Sequence, residues 1–175
     1  MKKSFTLVEV LLYISIVTII MSAFVLFAWN AIILSAKNNS QQELFAQGRI
    51  VSERILYEIR DANDLNAGTS NFDVDLVANS SNQLSLVADS PNNPTIFNVS
   101  SGILMIKQGA AAAVPLHSNT IKVTSLIFTN YSSADGKTKH IGYILQLAKN
   151  STSAAQQYQG VITLDSSAEI RSNPL

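Results

Sequence analysis

From Phe5 to Ala36 the chain runs about 30 residues with one formal charge, Glu9, and it opens MKKSFTLVEVLLYISIVTII. A helix needs only about 20 apolar residues to cross the hydrocarbon core of a bilayer. Spanning is therefore the default for this stretch. A cleaved secretory signal competes, but its apolar region runs about 7 to 15 residues and ends in a small-x-small site. Ser22 and Ala23 supply only a poor version of that site. Lys2 and Lys3 directly precede the run, so the positive-inside tendency puts the N-terminus in the cytoplasm and everything after Lys37 outside. The expected location is single-pass, in the cytoplasmic membrane.

A length of 175 residues allows one ordinary domain, or a smaller one joined to a membrane segment. Net charge is zero and 14% of residues are charged, so there is no electrostatic footprint for nucleic acid and no direct nucleic-acid partner is predicted. The 47% apolar content is concentrated at the N-terminal end; the remainder is polar and rich in Ser and Asn. With no cysteine, disulfides, thiolate zinc sites, thiol nucleophiles and a lipid-modified cysteine are all excluded.

Beyond the apolar run, ELFAQGRIVSERILYEIRDAND spaces Leu44, Val51, Ile55 and Ile59 by three to four, with Phe45 and Leu56 broadening the stripe and charged residues on the complementary faces. Arg49 and Glu53 stand at helical neighbour spacing. One long helix follows, loosened around residues 37 to 48 by NNS and Gly48, and stopping near NDLNAG. After Gly68 the pattern alternates. FDVDLVA, NQLSLVAD, PTIFNVS, GILMIKQ, NTIKVTSLIFTNY, HIGYILQLA and QGVITLD read as short strands separated by Asn, Ser, Gly and Pro. Asp135-Gly136 predicts a hairpin joining the run 121–131 to 140–148. QGAAAAVP reads as a surface loop, and no internal repeat is visible. An antiparallel sheet of this kind needs one face covered, and the amphipathic helix is the obvious cover. The fold class is α+β: residues 5–36 a transmembrane helix, 37–65 its amphipathic continuation, and 66–175 a β-rich head.

Sites for chemistry are few. His117, in a loop, and His140, at a strand end, read as ordinary surface residues, and no HExxH or CxxC is present. No GxSxG or phosphate-binding glycine loop occurs. Asp73, Asp75 and Asp89 lack the glycine and terminal glutamate of an EF-hand and read as a solvated strand edge. The Asn-x-Ser/Thr triplets, NVS at 98–100 and NST at 150–152 among them, are what this composition produces by chance. No catalytic residue, metal site or cofactor is predicted.

Glu9 remains to be explained, because a carboxylate inside an apolar span is a functional hypothesis by default. KKS followed by FTLVEVLLYISIV resembles the class III signal of type IV prepilins: a short basic leader, a small residue, Phe, then an apolar run with an acid at its fifth place. The resemblance implies a leader of residues 1–4 with Lys2 and Lys3 as its basic part. Prepilin peptidase would cut between Ser4, where the family generally has Gly, and Phe5, then methylate the Phe5 amine. It also implies a type IV pilin-like fold, with the 5–36 helix later serving as filament core. Glu9 would pair with the Phe5 ammonium of a neighbouring subunit, since burying the two charges apart is costlier than burying them together. A misregistered subunit would leave both unpaired.

Many major pilins carry a membrane-segment proline and a disulfide-closed loop; here no proline precedes Pro91 and there is no cysteine. RIVSERILYEIRDAND, SSGILMIKQ, VPLHSNTIKVTSLIFTNY and IGYILQLA look more like the J-type pseudopilin of type II secretion and the W-type minor pilin. The expected partners are prepilin peptidase, other pilin or pseudopilin subunits, the inner-membrane assembly platform and membrane lipid. The expected destination is a pilus or pseudopilus at the cell envelope. Two rivals stay open: a signal-anchored exported enzyme or binding protein that does not polymerise, and a major pilin.

Overall fold

A computed structural model describes residues 6–150 and 160–171. One helix, α1 (Leu7–Asp61), runs unbroken for 55 residues, about 80 Å at 1.5 Å per residue. Thr6 caps it in an extended conformation, its side chain accepting from the Glu9 N–H at 3.3 Å. At the other end the extended Ala62 donates its N–H to the Glu58 carbonyl, and Arg60 lies in the last turn, where a cation suits the helix dipole.

The strands form two sheets rather than the one expected. The first has five antiparallel strands in chain order: β1 (Asp64–Leu65), β2 (Gln83–Val87), β3 (Thr95–Ser100), β4 (Ile103–Gln108) and β5 (Val114–Pro115). Ser101 and Gly102, both at positive φ, make the two-residue turn between β3 and β4. The second has three: β6 (Ile121–Asn130), β7 (His140–Lys149) and β8 (Val161–Glu169). The predicted β6–β7 hairpin is present. Gly136 takes the left-handed conformation at its turn, and the Asp135 carboxylate accepts from the Ser133 hydroxyl and the Lys137 N–H.

Leu44, Val51, Ile55 and Ile59 of α1 are fully buried in one core with Leu84, Phe97, Leu104, Tyr143 and Leu145, and α1 packs mainly on β7 and β8. Gly48 is not a loosening point. A Cβ there would come within 2.7 Å of Ile162 Cδ1, 3.1 Å of Leu164 Cδ1 and 3.2 Å of Leu147 Cδ1, so the glycine lets the helix backbone lie close to the sheet. Phe45 stays 58% exposed, outside the buried stripe that its spacing suggested. Polar contacts fix the packing. Lys149 pairs with Glu43, the Tyr143 hydroxyl meets Ser52 Oγ at 2.6 Å, and Gln108 Nε2 donates to both Glu58 carboxylate oxygens at 3.1 and 3.2 Å.

Residues 72–78 are not a strand. A single bridge joins Asp75 to Ile127, and Leu76 turns fully into the core. The Asp75 carboxylate accepts from the N–H of Val77 at 2.9 Å and of Leu126 at 3.0 Å. Its side chain thus takes a place that a ladder partner would occupy, beside the irregularity in β6 between Val123 and Ser125.

Candidate functional site

The candidate site is the free half of α1. Leu7, Leu11, Ile14, Ile19, Phe24 and Phe27 lie on different sides of the helix and are all more than half exposed. An 18-residue window within α1 reaches a mean hydropathy of 2.7 with none of it buried, which makes α1 long and apolar enough to cross a membrane. Three of its hydroxyls are satisfied within the helix: Ser15, Thr18 and Ser22 donate to the carbonyls of Leu12, Ile14 and Thr18, each at 2.8 Å. No unpaired hydroxyl at these positions then opposes an apolar environment.

Glu9 lies in the first turn. Thr6-Leu7-Val8-Glu9 is a T-x-x-E sequence, half of whose reciprocal capping pattern is the Thr6–Glu9 bond just described. The acid also sits where the positive end of the helix dipole favours it. The spacing was visible in the sequence; the bond it makes uses the Glu9 backbone N–H, so the helix dipole alone gives the carboxylate a local role. The other predicted residues, Lys2, Lys3, Ser4 and Phe5, lie outside the described residues, so the site residues are not seen together.

Toward the C-terminal end of the apolar run, Trp29 is 66% exposed, with Asn30 beside it. Counting 1.5 Å per residue, Trp29 stands about 33 Å along the axis from Leu7, close to the thickness of a hydrocarbon core. An aromatic and an amide suit the headgroup boundary.

The head holds polar groups of another kind. His117 is not a surface residue: it is 7% exposed, its Nε2 accepts from the Leu104 N–H at 3.0 Å, and its Nδ1 donates to the Ser118 carbonyl at 3.0 Å. It serves as a hydrogen-bond partner for backbone that β5 is too short to cover. Burial opposes ionisation of Asp75, but the N–H groups of Leu126 and Val77 outweigh it and hold the carboxyl below its ordinary range. Hydrogen bonding to Lys139 likewise lowers Asp64. Among the described residues, no group of three or more His, Asp or Glu is placed to hold a metal.

A groove of about 680 Å³ opens where α1 ends, lined by Tyr57, Arg60, Asp61, Asn63, Asp89 and Arg171 among others. Asn63 donates to Asp89 across it at 2.6 Å. In comparisons with known proteins, no family model, curated protein or solved structure matches the chain.

Proposed function

We propose that the chain is a pilin-like minor subunit of a type IV filament or of a type II secretion pseudopilus, stored in the cytoplasmic membrane and assembled through α1. The observation that carries this reading is the division of one continuous helix. Its first half is apolar and exposed on every side with a lone acid in the first turn, and its second half is packed on an antiparallel sheet. A helix built this way can exchange lipid for neighbouring apolar helices without changing its own hydrogen bonds. The prepilin-like residues supply the processing step: prepilin peptidase cuts after Ser4 and methylates Phe5. In this reading the new ammonium of Phe5 gives Glu9 a counter-ion on a neighbouring subunit, and the head is displayed outside, at or near the filament tip.

Mass spectrometry of the N-terminus, from membranes with and without prepilin peptidase, tests the proposal. The expected product begins at a methylated Phe5 only when the peptidase is present. A chain that keeps Met1 to Ser4 in both would instead be a signal-anchored exported protein that does not polymerise. Glu9→Ala should leave the amount in the membrane unchanged and abolish its recovery in sheared filaments.

A further inference from the structure

The backbone bonds of β8 alternate in direction. Lys149 N–H donates to the Gly160 carbonyl at 3.1 Å and Ile170 N–H to the Lys139 carbonyl at 2.8 Å, and the unshifted register between β7 and β8 connects these two pairs. In an antiparallel ladder, residues two apart share a direction. The even-numbered residues of β8 therefore face β7. Val161, Thr163, Asp165, Ser167 and Glu169 turn their N–H and C=O groups to the other side, and all five residues are exposed. The other sheet edges are short or covered. β1 and β5 have two residues each, and β6 is covered by Asp73 and Leu76, which donate to the carbonyls of Phe128 and Leu126, and by Gly102, which accepts from Val123. Among the described residues, β8 is the long open edge.

An open edge is a template for another strand. Two features choose its occupant. Asp165 and Glu169 project from the outer face four residues apart, with no basic residue among the five. Pairing the whole strand with β8 of a second copy would set Asp165 directly against its own counterpart, a like-charge pair that opposes that register. On the inner face, Ile162 and Leu164 belong to the surface that packs on α1, so an added strand needs apolar residues at its inward positions.

From this we infer that the β8 edge binds an extended segment of another polypeptide with basic residues opposite Asp165 and Glu169 and apolar residues at the alternate positions. β8 lies in the head, so the inference does not rest on the chain entering a filament.

The test uses the full chain in detergent micelles and a synthetic peptide the length of β8, alternating valine with lysine or threonine, its lysines placed to face Asp165 and Glu169. Amide exchange by NMR should find Thr163, Asp165 and Ser167 fast in the free chain and Ile162, Leu164 and Ala168 slow. Millimolar peptide should slow the three fast amides roughly tenfold. Replacing the peptide lysines by glutamate, or making Asp165→Lys with Glu169→Lys, should weaken binding about fivefold. Peptide N-methylated at its strand-facing amides should not bind. The inference is overturned if the odd-numbered amides are already slow, if they slow with protein concentration alone, if the peptide fails to slow them, or if the glutamate or N-methylated peptide binds as well.

Discussion

Glu58 is 5% exposed, with Arg54 at 2.5 Å and the Gln108 amide on its two oxygens. Burial, reinforced by nearby Asp61, pushes its pKa above the ordinary 4.5 despite Arg54 and Gln108. A raised acid holds its proton more tightly in the folded chain. Its stabilising contribution is then complete below pH 4.5 and is lost as pH rises through the folded value. Glu43 behaves in the opposite way, because the hydrogen bond from Lys149 lowers it; its contribution is present above pH 4.5 and is lost as pH falls through the folded value. Glu58→Gln should flatten the decline in the head's denaturation midpoint above pH 4.5 while leaving the acid limb intact. Asp75→Ala should leave the Leu126 N–H without its carboxylate partner and cost about 1–3 kcal/mol at neutral pH. For Glu9, two roles separate by substitution. Thr6→Ala removes the cap, about 1 kcal/mol of helix stability, and should still permit filaments. Glu9→Gln keeps the size of the side chain but removes the charge, and should stop them. Filaments from Glu9→Gln would leave the acid only its favourable place at the positive end of the helix dipole.

The elements show which parts of the fold a sequence displays. Leu44, Val51, Ile55 and Ile59 declared the buried face of α1 because a helix places residues three and four apart on one side, and all four are buried. The β6–β7 hairpin was visible because Asp135-Gly136 is a local signal. FDVDLVA alternates as a strand should, yet Asp75 bonds backbone in β6, a contact 51 residues away that no local pattern encodes. The split into two sheets and the buried place of His117 depend on distant pairings in the same way. Gly48 is the sharpest case. By propensity it is a weak point, and Ala should gain about 1 kcal/mol; the sheet lies so close that the added methyl would have to displace Ile162 Cδ1. The two effects oppose each other, so Gly48→Ala should lie within about 1 kcal/mol of the parent. Gly48→Leu should lose about 1–3 kcal/mol, because it overpacks the same contact. Equal denaturation midpoints for Gly48→Leu and the parent would mean that the helix does not approach the sheet so closely. The candidate site was legible only as composition: the lone acid and the apolar run stand out in the sequence, whereas the Thr6 cap becomes meaningful once the helix is seen to begin at Leu7.

On the scale of the whole molecule, α1 carries a rigid ruler from one proposed membrane face to the other. Trp29 is the chain's only tryptophan, so its fluorescence reports a single depth. If Leu7 lies at the cytoplasmic boundary, the rise of about 1.5 Å per residue brings Trp29 to the outer boundary of a core about 30 Å thick. An indole is favoured there, with Asn30 beside it and Lys37 two turns further on. The first buried residue of the helix is Ser40, so in this placement about 15 Å of helix would separate Asn30 from the head and keep the sheets clear of the headgroups. In vesicles of brominated lipid, bromines near the headgroups should quench Trp29 more strongly than bromines deep in the acyl chains. Stronger deep quenching would draw Asn30 and then Lys37 toward the hydrocarbon and leave Glu9 well outside it on the cytoplasmic side. Glu9 would then have no apolar surroundings to make an ammonium partner valuable, and the proposed register function would fail together with the placement of the helix.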